Sequence, residues 1–332
     1  MKTGIEKICL IYNLGTPLQE PIKVTGGLLH KMYQVVTDQG EYAIKILNPD
    51  IMKRSAALSN MVNSELVANQ LKGIIPLVAA KSFDGKHVIE HEGSYYIIFD
   101  WLKAFSVFAP EITKEHCAQI GTILGRIHAA NIHVPRVVKE EAGRETYNWK
   151  LYLEKAKGEH EECYELLNEN LSDIVKWDEG VVSNWSKLSQ YQVISHRDLD
   201  PKNVLWKDNM AYVIDWESAG YVNPYQELVE VLNYWIGNAE GKYDKDKFVS
   251  LMTAYTKSVN ICGVDWQAVL KCSYDGMLGW LEYSVKRALG IEGSGLQDKQ
   301  EGFNQTKTTI QELQRYEKQM SVLLEWIKEI ES

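Results

Sequence analysis

The stretch ISHRDLDPKNVLW, residues 194–206, places a cluster of charged and amide side chains between apolar flanks. An ordinary surface loop does not need such a cluster. Four residues separate Asp198 from Asn203, and Asp215 follows at the end of the strand-like run MAYVIDW. Carboxylate and amide oxygens are ligands that Mg²⁺ accepts, so the stretch indicates a cation-dependent site.

The order of these residues has a known precedent. H-R-D-x-x-x-x-N, followed by an aspartate that closes a hairpin, is the spacing of the protein-kinase signature. In that signature the first Asp orients the acceptor hydroxyl, the Asn binds one Mg²⁺, and the later Asp bridges Mg²⁺ to the phosphates. These roles fall on Asp198, Asn203 and Asp215. Lys202 is a candidate to stabilise the transferred phosphoryl group, or is a plain surface lysine.

The first third of the chain is predicted to form strands before and after a single helix. The runs PIKVTGG, KMYQVV and YAIKIL predict three antiparallel strands. Apolar residues then recur at helical spacing from residue 50 until Gly73. HVIEHEGSYYIIFDWL predicts a hairpin that turns at Gly93. The predicted order is therefore three strands, a helix and two strands.

This region also offers groups that could hold a nucleotide. Lys45 ends a V-A-I-K-like pattern, where it would reach the α- and β-phosphates, and Glu65 on the following helix is placed to pair with it. Gly26 and Gly27 lie between two strands, where missing side chains let backbone N–H groups approach phosphates. Each feature alone is only a weak indication of nucleotide binding, whereas the order in which they follow one another along the chain is more specific.

Beyond residue 104 the helical period dominates. Helical patterns occupy 146–170, 225–258, 264–290 and 305–330, after an earlier helix in which Gly121 and Gly125 allow close approach of a second helix. A short strand pair, NVLWK and MAYVIDW, interrupts them. We therefore predict an α+β fold with a small antiparallel-sheet lobe at 1–101 and a large, mainly helical lobe at 102–332.

Composition excludes several classes of function. The chain has 332 residues and a net charge of −9, which argues against a nucleic-acid partner because phosphate backbones are held by clustered Lys and Arg. No apolar run approaches the ~20 residues that span a bilayer, so no membrane partner is expected. Five scattered cysteines without metal-site spacing are typical of a reduced, cytoplasmic protein. The oligomeric state is left open.

The chain resembles the aminoglycoside phosphotransferase and choline kinase superfamily over residues 22–290. The motifs that carry the resemblance are TGGLLHKMYQV, YAIKIL, ILGRIHA, HRDLDPKNVLW and VIDWESAGYVNPYQEL. The resemblance implies a protein-kinase-like bilobal fold, with ATP between the lobes and a hinge near Asp100, Trp101 and Leu102. Three departures stand out: Arg197 replaces a usual Gly, Asp200 replaces the Lys of the protein-kinase form, and His30 replaces a frequent Asn.

The acceptor is expected to be a small-molecule hydroxyl. Protein kinases carry a long segment closed by A-P-E that supports a polypeptide substrate, whereas here the chain passes from Asp215 into a helical pattern by Pro224. A protein kinase is therefore the weaker alternative, and a catalytically silent nucleotide- or partner-binding protein is the other. Candidate residues for recognising an amine include Glu217, Glu227, Glu230, Asp275 and Glu282 among the acids and Trp149, Trp216, Trp280 and Tyr283 among the aromatics. They leave an aminoglycoside, amino alcohol, sugar or amino acid open.

Overall fold

The structure is a computed structural model that describes residues 4–24, 30–139, 143–238, 240–293 and 295–331. Gly26 and Gly27 lie outside the described residues. The strands are β1 (Ile22–Val24), β2 (Lys31–Thr37), β3 (Gly40–Ile46), β4 (Val88–His91), β5 (Ser94–Asp100), β6 (Val193–Ser195), β7 (Val204–Lys207), β8 (Met210–Val213) and β9 (Gly220–Val222). The α-helices are α1 (Gly4–Ile11), α2 (Pro49–Met52), α3 (Ala57–Gln70), α4 (Lys114–Ala130), α5 (Trp149–Ala156), α6 (Glu161–Leu188), α7 (Pro224–Trp235), α8 (Lys245–Tyr255), α9 (Trp266–Cys272), α10 (Asp275–Ala288) and α11 (Leu296–Glu331). Short 3-10 helices span Pro201–Asn203 and Trp216–Ser218.

The N-terminal strands form one antiparallel sheet in the order β1-β2-β3-β5-β4. Within it Lys45 of β3 is aligned with Met32 of β2 and Ile97 of β5. Successive side chains of a strand point to opposite faces, so Lys45 faces away from its neighbours Ile44 and Ile46. The sheet and the many helices confirm the predicted α+β class.

Apolar cores cover both faces of this sheet. On one face Ile44 packs with Ile8 and Cys9 of α1, all of them fully buried. On the other, a core around Leu47 and Ile97 packs against α3. Helix α1 was not predicted, because eight residues are too few to separate a helical period from a short apolar run.

Residue contacts divide the chain into two compact units. The first comprises Met1–Ile112, Thr122–Val138 and Ile194–Gly220, and the second comprises Thr113–Gly121, Lys139–Val193 and Tyr221–Ser332. Every predicted catalytic, metal and nucleotide residue that the structure describes therefore belongs to the first unit. The functional boundary expected between residues 101 and 102 stays a prediction.

The long helical patterns are present but interrupted. Gly158 has a left-handed φ of +84° and lies between α5 and α6, which divides the pattern at 146–170. The pattern at 225–258 is divided as well: Gly241 has a φ of +72°, and Asp244 caps α8 by accepting backbone N–H groups. Turn and cap residues thus override an apolar period that continues across them.

Two further expectations concern the environment of the chain. In the part of the chain that the structure describes, no helix combines the length and the apolar character needed to cross a membrane. Cys9, Cys117, Cys163 and Cys272 are buried free thiols, and Cys262 is an exposed one.

The predicted close approach at Gly121 is confirmed. A Cβ atom built on Gly121 would lie 2.1 Å from the carbonyl oxygen of Leu251 in α8, so α4 can contact this backbone only with glycine at that position. Leu251 is itself fully buried. This is a contact within the second unit.

Gly121→Ala is expected to destabilise the protein by about 1–3 kcal/mol, because the added methyl group overlaps a backbone atom that cannot rotate away. Gly180→Ala in α6 is the matched control, since a Cβ there meets nothing within 4 Å. That change is expected to stabilise the helix by about 0.5–1 kcal/mol. Urea unfolding measures both, and a Gly121→Ala protein as stable as Gly180→Ala would contradict this packing.

Candidate active site

The loop between β6 and β7 holds Asp198 and Asn203 in direct contact. Asn203 Nδ2 donates to Asp198 Oδ2 at 2.9 Å and to the Asp198 carbonyl oxygen at 2.8 Å. The short 3-10 helix Pro201–Asn203 folds the chain back, and Asp200 caps it by accepting the N–H of Lys202. Among the described residues both side-chain hydrogen bonds of Asn203 use its nitrogen. Its Oδ1 can therefore serve as an oxygen ligand.

His196 holds this loop in place through both nitrogens of its ring. Its Nε2 lies 3.0 Å from the carbonyl oxygen of Ile214, and its Nδ1 accepts the N–H of Asp198 at 3.2 Å. These partners require the tautomer that carries its proton on Nε2. The ring is fully buried and packs edge-on against Trp216, with centroids 4.7 Å apart. One imidazole thus ties the loop to the segment that carries Asp215.

Arg197 and Asp215 both have left-handed backbone, with φ of +65° and +59°. This conformation costs a non-glycine residue roughly 1–2 kcal/mol. It explains why glycine suits position 197 in the family that the chain resembles. Backbone of this kind is typical of functional sites, where surrounding contacts hold it in place.

The electrostatics of Asp198 come from burial and one lysine. Burial raises the pKa of the Asp198 carboxyl above its ordinary value, and the ammonium of Lys202 opposes that shift. Lys202 Nζ lies 3.3 Å from Asp198 Oδ2 on a side chain that is 58% exposed. The structure therefore places Lys202 where it favours the charged form of Asp198.

Lys45, the candidate for phosphate binding, contacts Asp215, a candidate metal ligand. Its Nζ donates to Asp215 Oδ1 at 2.8 Å and to Glu217 Oε2 at 2.9 Å. Although burial opposes the charged ammonium, the two carboxylates raise the pKa of Lys45. Burial likewise opposes ionisation of Asp215, but Lys45 lowers its pKa below the ordinary value. Both groups are therefore charged at neutral pH.

The expected ion pair between Lys45 and Glu65 is not formed here. Glu65 is 5% exposed, and its Oε2 accepts the backbone N–H of Ala80 at 3.2 Å. Burial raises the pKa of its carboxyl to about 7, a shift that the Ala80 bond and Lys45 oppose. Lys45 instead contacts the two more exposed carboxylates of Asp215 and Glu217, whose ionisation costs less.

Glu65→Gln should flatten the pH dependence of stability. The folded protein binds the Glu65 proton more tightly than the unfolded chain does, so stability falls as pH rises from 4.5 toward about 7. That loss is as much as about 3 kcal/mol. In urea unfolding, the free energy of unfolding of Glu65→Gln should increase relative to that of the wild type between pH 5 and pH 8. The control Glu20→Gln, at an exposed position, should show the same pH dependence as the wild type. A Glu65→Gln protein with the same pH dependence as the wild type would contradict the buried, protonated carboxyl.

The two hinge candidates lie at the end of the sheet. Asp100 ends β5, and its largely exposed carboxylate accepts from Lys81 Nζ at 2.7 Å. Leu102 follows in a half-buried segment without regular structure, just after Trp101 donates its N–H to Glu41. Both residues remain candidates for nucleotide contact through their backbone.

Two residues at this site, Glu217 and His30, were not predicted to lie beside Lys45. Glu217 was considered only as a recognition group for an amine, although its spacing of two from Asp215 within a short 3-10 helix brings both carboxylates to Lys45. His30 Nε2 lies 3.5 Å from Glu217 Oε2. The sequence signal for Glu217 was the D-x-E spacing, whereas no local signal connects positions 30 and 217.

In the second unit, two of the acids considered for acceptor recognition, Asp275 and Glu282, are paired with cations. Arg144 binds Asp178, which is fully buried, and its Nε donates to Asp275 at 2.8 Å. Glu282 accepts from Lys286 at 2.6 Å. Cations of the chain itself therefore neutralise Asp275 and Glu282.

The aromatic candidates divide by burial. Trp149 and Trp216 are 3% and 2% exposed and serve as packing residues. Trp280 is 42% exposed on α10, and its ring lies 5.5 Å from that of Tyr283. Only the second pair presents aromatic surface among these four residues.

Known proteins share both sequence and fold with this chain. The phosphotransferase enzyme family matches residues 21–256. A homoserine kinase from Paramagnetospirillum magneticum is 22% identical over 242 residues, which cover 70% of this chain and 71% of that protein. The structure of spectinomycin phosphotransferase APH(9)-Ia with ADP and spectinomycin has a TM-score of 0.71 at 14% identity, covering 94% of this chain and 97% of that one. Choline kinase from Cryptosporidium parvum Iowa II has a TM-score of 0.63 at 15% identity, covering 96% of each chain.

These comparisons confirm two predictions. The structural likenesses confirm the protein-kinase-like α+β fold, and the family match spans more than half of the chain, from before β1 to just after α8. It includes Lys45, Asp198, Asn203 and Asp215. The chain therefore belongs to the phosphotransferase enzyme family, as a small-molecule kinase.

Proposed function

We propose that this protein transfers the γ-phosphate of ATP, with Mg²⁺, to a hydroxyl group of a small molecule. The observation that carries the proposal is that two hydrogen-bonded pairs, Asp198 with Asn203 and Lys45 with Asp215, lie within one compact unit. In this proposal residues 1–101 bind the nucleotide, and residues 102–332 supply the catalytic and acceptor-binding groups.

The residues present fit Mg²⁺. Asn203 offers its amide oxygen, and Asp215 offers a carboxylate that is 38% exposed and carries its negative charge. Mg²⁺ is usually held by one or two protein oxygens together with phosphate oxygens and water. Among the described residues no group of three or more His, Cys, Asp or Glu side chains could form a metal cage, which agrees with such a shared site. When bound, the ion would neutralise charge on the phosphates.

Asp198 is proposed to orient the acceptor hydroxyl and receive its proton. Its carboxylate is held on one side by Asn203 and on another by Lys202, and 29% of its side chain is exposed to a reactant. A general base needs a pKa near the working pH, and partial burial moves that of Asp198 in this direction. Lys202 is proposed to stabilise charge on the transferred group, because it is a largely exposed cation 3.3 Å from the Asp198 carboxylate.

We propose that the nucleotide contacts residues near both ends of β3 and on the segments beside it. Lys45 supplies a permanent positive charge for the phosphates, and Glu65 lies on α3 behind it. The backbone near Asp100 and Leu102 is proposed to hold the base, and Gly26 with Gly27 to approach the phosphates. The solved spectinomycin phosphotransferase was obtained with ADP, which supports an adenine nucleotide for a protein of this fold.

The acceptor class is narrowed by the pairing of acids in the second unit. A polyamine needs several uncompensated carboxylates, but Asp275 and Glu282 each have an internal cation. The homoserine kinase and the choline kinase are named for small acceptors, each with one hydroxyl group and one cationic nitrogen. These observations favour a compact amino acid or amino alcohol over a large polyamine.

The decisive experiment is Mg²⁺-dependent ADP formation against a panel of acceptors. The panel contains homoserine and other amino acids, choline and ethanolamine, spectinomycin and other aminocyclitols, aminoglycosides, and sugars, each with ATP and with GTP. We expect turnover with one class, and only with Mg²⁺ present. Turnover of none of them, together with no binding of Mg²⁺-nucleotide, would refute the kinase proposal. Nucleotide binding without turnover would favour a catalytically silent protein.

A further inference from the structure

His30 is a buried polar residue that the proposed mechanism does not use. It lies immediately before β2, and its side chain is 3% exposed. Its Nδ1 accepts the backbone N–H of Asn48 at 3.0 Å. Asn48 lies just beyond β3, three residues after Lys45, so the imidazole is attached to the strand that carries the phosphate-binding lysine.

The other nitrogen of the ring faces the site. Because Nδ1 is an acceptor, the proton of the neutral ring is on Nε2. Burial and the nearby charge of Lys45 lower the pKa of His30, while Glu217 and Asp215 oppose that shift. The Nε2–H group lies 3.5 Å from Glu217 Oε2 and has no hydrogen-bond partner among the described residues. A buried donor left unpaired is costly, so this group is expected to be used.

Glu217 Oε2 is the atom that links the two residues. It accepts from Lys45 Nζ at 2.9 Å, and His30 Nε2 approaches the same oxygen. Lys45 meanwhile divides its bonds between Glu217 and Asp215. If Glu217 rotated away, the ammonium would be left with Asp215 alone and would compete with Mg²⁺ for that carboxylate.

We propose that His30 is a positioning residue whose Nε2–H holds the Glu217 carboxylate against Lys45, so that Asp215 remains available to Mg²⁺. The inference rests on the proposed function, which assigns Lys45 to the phosphates and Asp215 to the metal. His30 does not touch substrate in this account. It acts on nucleotide binding through Glu217.

Two variants separate the two nitrogens of the ring. In His30→Asn the side-chain oxygen can replace Nδ1 and keep the bond from Asn48, but nothing reaches Glu217. In His30→Gln the terminal NH₂ can replace Nε2 and donate to Glu217, while the Asn48 bond is lost. Isothermal titration with Mg²⁺ and a non-hydrolysable ATP analogue measures affinity without any acceptor. Thermal unfolding of each variant checks its folding.

We expect His30→Asn to bind the Mg²⁺-nucleotide about tenfold more weakly, as for loss of a polar contact with a charged group, and His30→Gln to stay within about threefold of the wild type. In turnover assays the KM for nucleotide should rise in His30→Asn with a smaller change in kcat. Equal binding by both variants, or weaker binding by His30→Gln alone, would overturn the inference and assign the ring a packing role.

A double variant distinguishes an effect that acts through Glu217 from a general effect on folding. In a Glu217→Ala background no acceptor is left for His30 Nε2–H, so His30→Asn should produce no further loss of affinity. A further tenfold loss there would show that His30 acts elsewhere and would overturn the inference. A wild-type protein that binds no Mg²⁺-nucleotide would instead refute the proposed function, and the inference with it.

Discussion

Asp198→Asn is expected to lower kcat by about 10²- to 10⁴-fold while leaving the affinity for Mg²⁺-ATP within about threefold. The amide cannot accept the acceptor proton, but it preserves the size of the side chain. Its contacts with Asn203 and Lys202 are local to the loop, so the remainder of the site should keep its geometry. Steady-state turnover and calorimetric nucleotide binding measure the two quantities separately.

Asp200→Asn is the matched control for this variant. Asp200 lies two residues further along the same loop, and it caps the 3-10 helix by accepting the N–H of Lys202. An Asn can make the same cap, so turnover should stay near that of the wild type. Comparable activity of Asp198→Asn and Asp200→Asn would remove Asp198 from the role of base.

Asp215→Asn is expected to reduce kcat/KM for Mg²⁺-ATP by about 10²-fold or more, because the negative charge proposed to bind the metal is lost. Lys45 would also lose one of its two carboxylate partners. The apparent Mg²⁺ requirement should rise, and an excess of Mg²⁺ should recover part of the activity. Turnover measured over a range of Mg²⁺ concentrations at fixed ATP tests this.

Asp208→Asn provides the control for Asp215→Asn. Asp208 lies in the turn between β7 and β8, is exposed, and has a φ of +50°, a conformation that Asn tolerates well. The Asp208→Asn variant removes one negative charge near Asp215 in the sequence and changes no contact of Lys45. An equal Mg²⁺ response in both variants would show that the effect is one of net charge rather than of a ligand at position 215.

The parts of the site that could be predicted are those fixed by local spacing. Four intervening residues, folded into one short 3-10 helix, bring Asn203 onto Asp198. Alternation in β3 likewise turns Lys45 away from the apolar face of Ile44. Each of these relations depends on a few neighbouring residues, so the sequence pattern contains it.

The partners of Lys45 could not be predicted in the same way. Its choice of Asp215 and Glu217 over Glu65 depends on how deeply each carboxyl is buried, which is a property of tertiary packing. His30 and Glu217 lie 187 positions apart in the sequence, and no sequence period reports such a contact. The interruptions of the long helices have a local cause instead, in turn and cap residues such as Gly158 and Asp244.

The most direct test of phosphoryl transfer by this protein follows the terminal phosphate itself. ATP labelled in its γ-phosphate is incubated with Mg²⁺, the preferred acceptor from the panel, and either the wild type or Asp198→Asn. With the wild type we expect label esterified to a hydroxyl of the acceptor, and with the variant almost none. Label released only as inorganic phosphate, at the same rate with and without acceptor, would contradict phosphoryl transfer to the acceptor.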